Sequence, residues 1–142
     1  MGIQERWRGF KPLPPETRAR LDLLARLFQE TGALLAYVFG SFPHHEEPAD
    51  IDLAILPSDG GLGDLRERIT DILNTERVDL VNLKTATPVL RFEVVSTGVL
   101  IFKKSDLLEN SFELSTLREY RDTAHLRAVQ AEMVEERNKR WS

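Results

Sequence analysis

The stretch FGSFPHHEEPADIDLAIL, residues 39–56, decides how this chain is read. It opens on Phe39 and the pair Gly40-Ser41, crosses eight residues, and ends in an apolar run carrying Asp50 and Asp52. Side chains alternate between the faces of an extended chain, so residues two apart point the same way. Ile51, Leu53 and Ile55 therefore share one face, and Asp50, Asp52, Ala54 and Leu56 share the other. Two carboxylates in one volume repel unless a cation or a proton neutralises them. Oxygen-rich clusters of this kind suit hard cations, with Mg²⁺ the leading candidate.

Working outward, the apolar run 34–39 reads as a buried strand that stops at Gly40. Before it, residues 14–31 read as one helix, with Pro15 and Glu16 in its first turn and Gly32 as its stop. Leu21, Leu24, Ala25 and Phe28 give that helix its buried stripe. After the acidic strand, the cluster Pro57-Ser58-Asp59-Gly60-Gly61 marks a turn. A helix over 64–74 follows, with Leu65, Ile69, Ile72 and Leu73 inward. The run RVDLVNL, residues 77–83, predicts a third strand, Thr87-Pro88 begins a short helix that Gly98 ends, and residues 99–102 make a fourth strand. Helices interspersed with strands predict an α/β (α+β) fold, a small mixed sheet of about four strands flanked by helices.

The alternation Val78-Asp79-Leu80-Val81 can bring Asp79 beside the first acid pair. Three converging carboxylates can hold two metal ions that stabilise the attacking and leaving oxygens of a phosphoryl displacement. Gly40-Ser41 supplies the complementary half, since a glycine lets backbone approach a ligand and the following N–H groups and the Ser41 hydroxyl can cradle phosphate oxygens.

Composition narrows the function classes. The chain has 142 residues, a net charge of −4 and no cysteine, which rules out disulfides, thiolate metal sites and cysteine nucleophiles. Residues 1–20 carry five basic and two acidic side chains, residues 21–102 six and thirteen, and residues 103–142 eight of each. An acidic centre argues against a protein that coats nucleic acid and suits a site that gathers cations. No apolar run approaches the ~20 residues of a membrane span, so a cytoplasmic protein is expected.

Across residues 34–103 the motifs FGSFPHHEEPADIDLAIL, RVDLVNL and TPVLRFEVVSTGVLIF together resemble the minimal nucleotidyltransferases of the DNA polymerase β superfamily. The last segment is similar to that of the small members encoded beside HEPN-domain toxins. The resemblance implies a polymerase-β-like fold with a long C-terminal helix, two Mg²⁺ ions, ATP as substrate, and AMP transfer to a tyrosine of a HEPN toxin, the chain acting as antitoxin. It implies that Asp50 and Asp52 hold the metals, that Asp79 completes the site and helps activate the nucleophile, and that Gly40 and Ser41 seat the triphosphate. The whole chain, 1–142, then reads as a single nucleotidyltransferase domain: a flexible basic arm (1–12), a catalytic core (34–103) and a C-terminal helix (106–142).

The span 42–49 departs from the family's pattern. It lacks the family's arginine and places Glu46 and Glu47 where a polyanion would bind. Metal ions, Lys84, Arg91 or a partner's basic residue could compensate. This departure motivates an alternative, an antitoxin with weak or no catalysis that neutralises its toxin by binding. Transfer to RNA ends or to a small-molecule hydroxyl is a third reading.

Among the remaining residues, His44 and His45 read as solvent-exposed loop residues and His125 as a helix-surface residue. Arg91 reads either as a phosphate contact or as half of a salt bridge. Tyr37 and Tyr120 read as packing residues, and Trp7 and Trp141 fall in the two tails. The helical pattern over 112–139 has two apolar stripes, Leu117, Tyr120, Ala124, Ala128 and Ala131 beside Leu126, Val129 and Met133. Its first half is expected on the sheet, and part of this wide surface can meet another chain.

Overall fold

A computed structural model describes residues 15–40, 42–43, 49–59 and 61–141. The basic arm, Ser41, His44, His45, Glu46 and Glu47 lie outside the described residues. Among the described residues one sheet forms from β1 (Leu35–Phe39), β2 (Ile51–Leu56), β3 (Val78–Asn82) and β4 (Val99–Lys103), in the order β3-β2-β1-β4. β1 pairs antiparallel with β2 and β4, whereas β2 and β3 run parallel. The sheet is mixed because helix α3 (Leu65–Leu73) carries the chain back to the starting end of β2 before β3 begins.

The period of two seen in the sequence divides the core into two layers. Ile51, Leu53 and Ile55 pack under α3 and under α2 (Leu24–Thr31), joined by Leu24, Phe28, Ile69 and Leu73. Leu35, Tyr37, Phe39, Ala54 and Leu83 lie on the opposite face with Val94 of α4 (Pro88–Thr97). The caps follow the residue chemistry. Thr87 Oγ1 accepts from Leu90 N–H at 3.2 Å with Pro88 at the first turn of α4, and Ser105 Oγ accepts from Leu108 N–H at 3.1 Å to start α5 (Asp106–Asp122). Gly98 leaves α4 so close to β1 that an added Cβ would strike the carbonyl oxygens of Val94 and Val38 and the Phe39 side chain.

Two expected helices are interrupted. The span 14–31 resolves into α1 (Pro15–Arg20), a 3₁₀ turn (Leu21–Leu23) and α2. The tighter turn shifts the helical phase, so Leu27 is buried beside Leu24 and Phe28 while Ala25 is exposed. The C-terminal helix divides into α5, which begins at Asp106, and α6 (Ala124–Trp141). Thr123 Oγ1 donates to the Glu119 and Tyr120 carbonyls at 2.9 and 3.2 Å, a local bond that competes with the helix ladder where the two segments meet. Arg127 then fixes the junction, donating to Thr123 Oγ1 at 2.6 Å and to Tyr120 O at 2.8 Å. Its guanidinium lies 3.8 Å from the centre of the Tyr120 ring, which also stacks on Phe92.

The apolar stripes of this region are placed differently from expectation. The side of α5 that meets the body carries Leu108, Phe112 and the buried Thr116, whereas Leu117 is exposed. α6 buries none of its residues, and Leu126, Val129, Met133 and Trp141 are all exposed. His125 is exposed on the same helix.

Candidate active site

β2 is preceded by Asp50 and carries Asp52 as its second residue, and β3 carries Asp79 as its second. The parallel register sets Asp52 directly opposite Asp79, and the Ile51 N–H donates to the Arg77 carbonyl at 3.0 Å just before it. Partners in register share a face of the sheet, so the third acid meets the first two on the side covered by α4. One carboxylate oxygen from each of Asp50, Asp52 and Asp79 lies within 4.8 Å of the other two.

Burial makes this cluster chemically unusual. The three residues are only 3, 4 and 6 % exposed. Uncompensated carboxylates are costly to remove from water, and three together repel. Among the described residues no hydrogen bond reaches Asp50 Oδ2 or Asp52 Oδ1, two buried oxygens, although both residues make other interactions. The arrangement fits a hard divalent cation. Oxygens around one Mg²⁺ stand at most about 4.2 Å apart, twice its ~2.1 Å bond length. Adjacent oxygens stand closer, at about 3.0 Å, so carboxylate oxygens within 4.8 Å of one another would draw together by side-chain rotation on binding one ion. A positive charge there would offset the repulsion and take these oxygens as ligands at once.

Gly40 ends β1 one residue beyond the Phe39–Asp52 pair, which puts it at the same end of the sheet as the acids. Its φ of 70° is left-handed, a conformation that glycine adopts without steric cost and that turns the chain sharply out of the strand. Ser41 lies outside the described residues, and Phe42 returns to the core as a buried side chain.

Arg91 is engaged in the scaffold: Nε donates to Leu83 O at 2.8 Å, Nη2 to Lys84 O at 3.0 Å, and Nη1 pairs with Glu119 at 2.8 Å. It ties the end of β3 to α4 and α5, which favours the salt-bridge reading. Tyr37 and Tyr120 are both packing residues. Tyr37 is buried with its hydroxyl donating to Glu113 at 3.4 Å, and burial holds its proton well above the usual phenol range.

Sequence reasoning missed a second group around this scaffold. Lys103 bridges Asp106 and Glu109 at 2.7 and 3.0 Å. Glu113, beside them, has its pKa raised first by burial and then by the negative charge of Glu109. Ser105 followed by Asp106 was the available signal, a cap residue with an acid in the first turn. A separate cleft of about 400 Å³ lies at the far end of β2, lined by Glu30, Ala33, Pro57, Leu62, Asp64 and Arg68, away from the three acids.

The family model described as polymerase beta, nucleotidyltransferase, matches residues 23–107. No curated protein sequence matches the chain. Among solved structures, a complex of tri-AMPylated Shewanella oneidensis HEPN toxin with MNT antitoxin contains a chain 25% identical to this one. The alignment covers 84% of this chain and 97% of that one, with a TM-score of 0.65. A toxin–antitoxin structure with AMP-PNP is 25% identical over 82% of this chain and 96% of its own, TM-score 0.65. A chain of the toxin–antitoxin pair MntA–HepT is 24% identical over 84% and 97%, TM-score 0.63, a likeness that speaks for the fold alone.

Proposed function

The chain belongs to the polymerase β nucleotidyltransferase family, and from that premise we propose that it transfers AMP from ATP to a tyrosine hydroxyl of a HEPN toxin and so acts as an antitoxin in the cytoplasm. The observation that carries the chemistry is the convergence of Asp50, Asp52 and Asp79 from two parallel strands into one buried cluster. Structural neighbours that pair an MNT antitoxin with an AMPylated HEPN toxin, or hold AMP-PNP, support the donor and the acceptor.

In this reading Asp50, Asp52 and Asp79 hold two Mg²⁺ ions, which supply charge neutralisation for the phosphates. The acceptor oxygen attacks the α-phosphorus, the new O–P bond forms as the bond to the β-phosphate oxygen breaks, and pyrophosphate leaves. Asp79 takes the acceptor proton in this reading. Gly40 and Ser41 seat the triphosphate through backbone N–H groups. Positioning and electrostatics are the main catalytic terms in such transfers, so the side chains need no nucleophile of their own. The test is labelled ATP with a co-purified HEPN partner: label on the partner's tyrosine is expected, and an unlabelled partner overturns the assignment.

One observation favours a second reading, neutralisation by binding. α6 buries nothing and exposes Leu126, Val129 and Met133, a surface that no other described residues cover. A chain with all three acids changed to Asn that still protects cells stoichiometrically would establish binding as the protective activity.

A further inference from the structure

β3 is one of the two outer strands of the described sheet, so among the described residues the carbonyls on its far side have no neighbouring strand to accept from. The Arg77 carbonyl faces inward and accepts from Ile51 N–H, which turns the next carbonyl, that of Val78, outward. Arg66, in the first turn of α3, reaches this edge. Its Nη2 donates to Val78 O at 2.8 Å and to Glu76 O at 3.2 Å. The Val78 carbonyl belongs to the peptide whose nitrogen is that of Asp79. A single guanidinium group therefore holds both the turn that leads into β3 and the peptide unit on which the third carboxylate is mounted.

We propose that Arg66 is a positioning residue for the acidic cluster: it fixes the Val78–Asp79 peptide on the open edge of β3 so that Asp79 meets Asp50 and Asp52. The inference rests on reading that cluster as a divalent-cation site. On the inner side of β3, strand pairing sets the register and therefore which residue faces Asp52. The Asp79 N–H of the same peptide points inward to the ladder, so Arg66 holds from the outer side a peptide that strand pairing holds only from the inner one. A planar fork suits the task, because it can address two carbonyls from a fixed plane and keeps its charge at every accessible pH. A lysine offers one compact ammonium on a looser stem. Arg68, two residues on, pairs instead with Glu30 at 3.6 Å and serves as a control on the same helix.

The experiment titrates the full chain with Mn²⁺ and follows the free-ion signal by electron paramagnetic resonance, with circular dichroism confirming that each variant is folded. Arg66→Met is expected to weaken Mn²⁺ binding about tenfold, the lower end of what groups that orient metal ligands contribute. Arg66→Lys should fall between it and the wild type, and Arg68→Met should bind as the wild type does. If Arg66→Met does not fold, Arg66→Lys carries the test, and wild-type affinity in that variant overturns the proposal. Equal affinity in a folded Arg66→Met chain with a lowered Tm also overturns it, leaving only a cap on the strand edge. A wild-type chain that takes up no Mn²⁺ removes the cation reading itself, and the proposal falls with it. Mn²⁺ uptake without AMP transfer would overturn the proposed function while leaving the role of Arg66 intact.

Discussion

Asp52 and Asp79 face each other in register across the only parallel strand pair in the described sheet. Like charges placed directly opposite are destabilising in a sheet, and burial sharpens the penalty. The pairing therefore costs stability in the free chain, and a cation bound there would return it. Saturating Mg²⁺ or Mn²⁺ should raise Tm, by the equivalent of about 2.7 kcal/mol at a hundredfold excess over Kd. Differential scanning fluorimetry across a metal titration checks this.

Asp50→Asn with Asp52→Asn keeps side-chain volume and removes two charges. Transfer of label from ATP should fall by about 10³-fold, a loss comparable to removing a strong electrostatic contact from a transition state. Tm without metal should hold or rise, because buried repulsion is relieved. A variant that folds well and still transfers at the wild-type rate would dismiss the metal roles.

Gly98→Ala tests the close approach of α4 to the end of β1. The new methyl group meets two backbone carbonyls and the Phe39 side chain, none of which moves easily. A loss of about 1–3 kcal/mol is expected from overpacking, measured by urea denaturation. The displacement falls on Phe39, the neighbour of Gly40, so nucleotide affinity should weaken along with stability.

Arg91 and Glu119 separate scaffold from ion pair. Arg91→Ala leaves the Leu83 and Lys84 carbonyls without their charged donor and should cost about 1.5–3 kcal/mol. Glu119→Ala removes only a partly exposed ion pair and should cost less than about 1 kcal/mol. Equal losses in the two variants would contradict this division.

Glu113 predicts a pH dependence with a definite sign. Its folded pKa is raised by burial and by Glu109, so just above its ordinary 4.5 the folded chain holds more protons than the unfolded one. The favourable contribution is complete below that value and is lost as pH rises through the folded pKa. Glu113→Gln should therefore raise Tm relative to the wild type at pH 7, and the gap should close as pH approaches 4.5. A gap independent of pH would refute the assignment.

The site was legible where it depended on local geometry. The alternation in residues 50–56 placed Asp50 and Asp52 on one face because a strand has a fixed period of two. Capping chemistry likewise located Thr87 and Gly98 at the ends of α4. The meeting of Asp52 with Asp79 follows from strand order, a relationship between distant segments that no local pattern encodes. Arg66 was invisible for the same reason, since an exposed helical arginine has the same sequence signature whether it meets solvent or a strand edge. The interruptions at Leu21–Leu23 and Thr123 were missed because apolar periodicity continues across both, whereas hydrogen bonds such as those from Thr123 Oγ1 break the phase.

The junction at Thr123 also separates two kinds of freedom. Everything that shapes the acidic cluster lies before it, and α6 beyond it contributes no buried side chain. Its 18 residues span about 27 Å as a helix, and Leu126, Val129 or Met133 can be exchanged without disturbing the sheet. Substitutions can therefore accumulate along that outer rod while the end of the sheet that carries the three acids stays as it is.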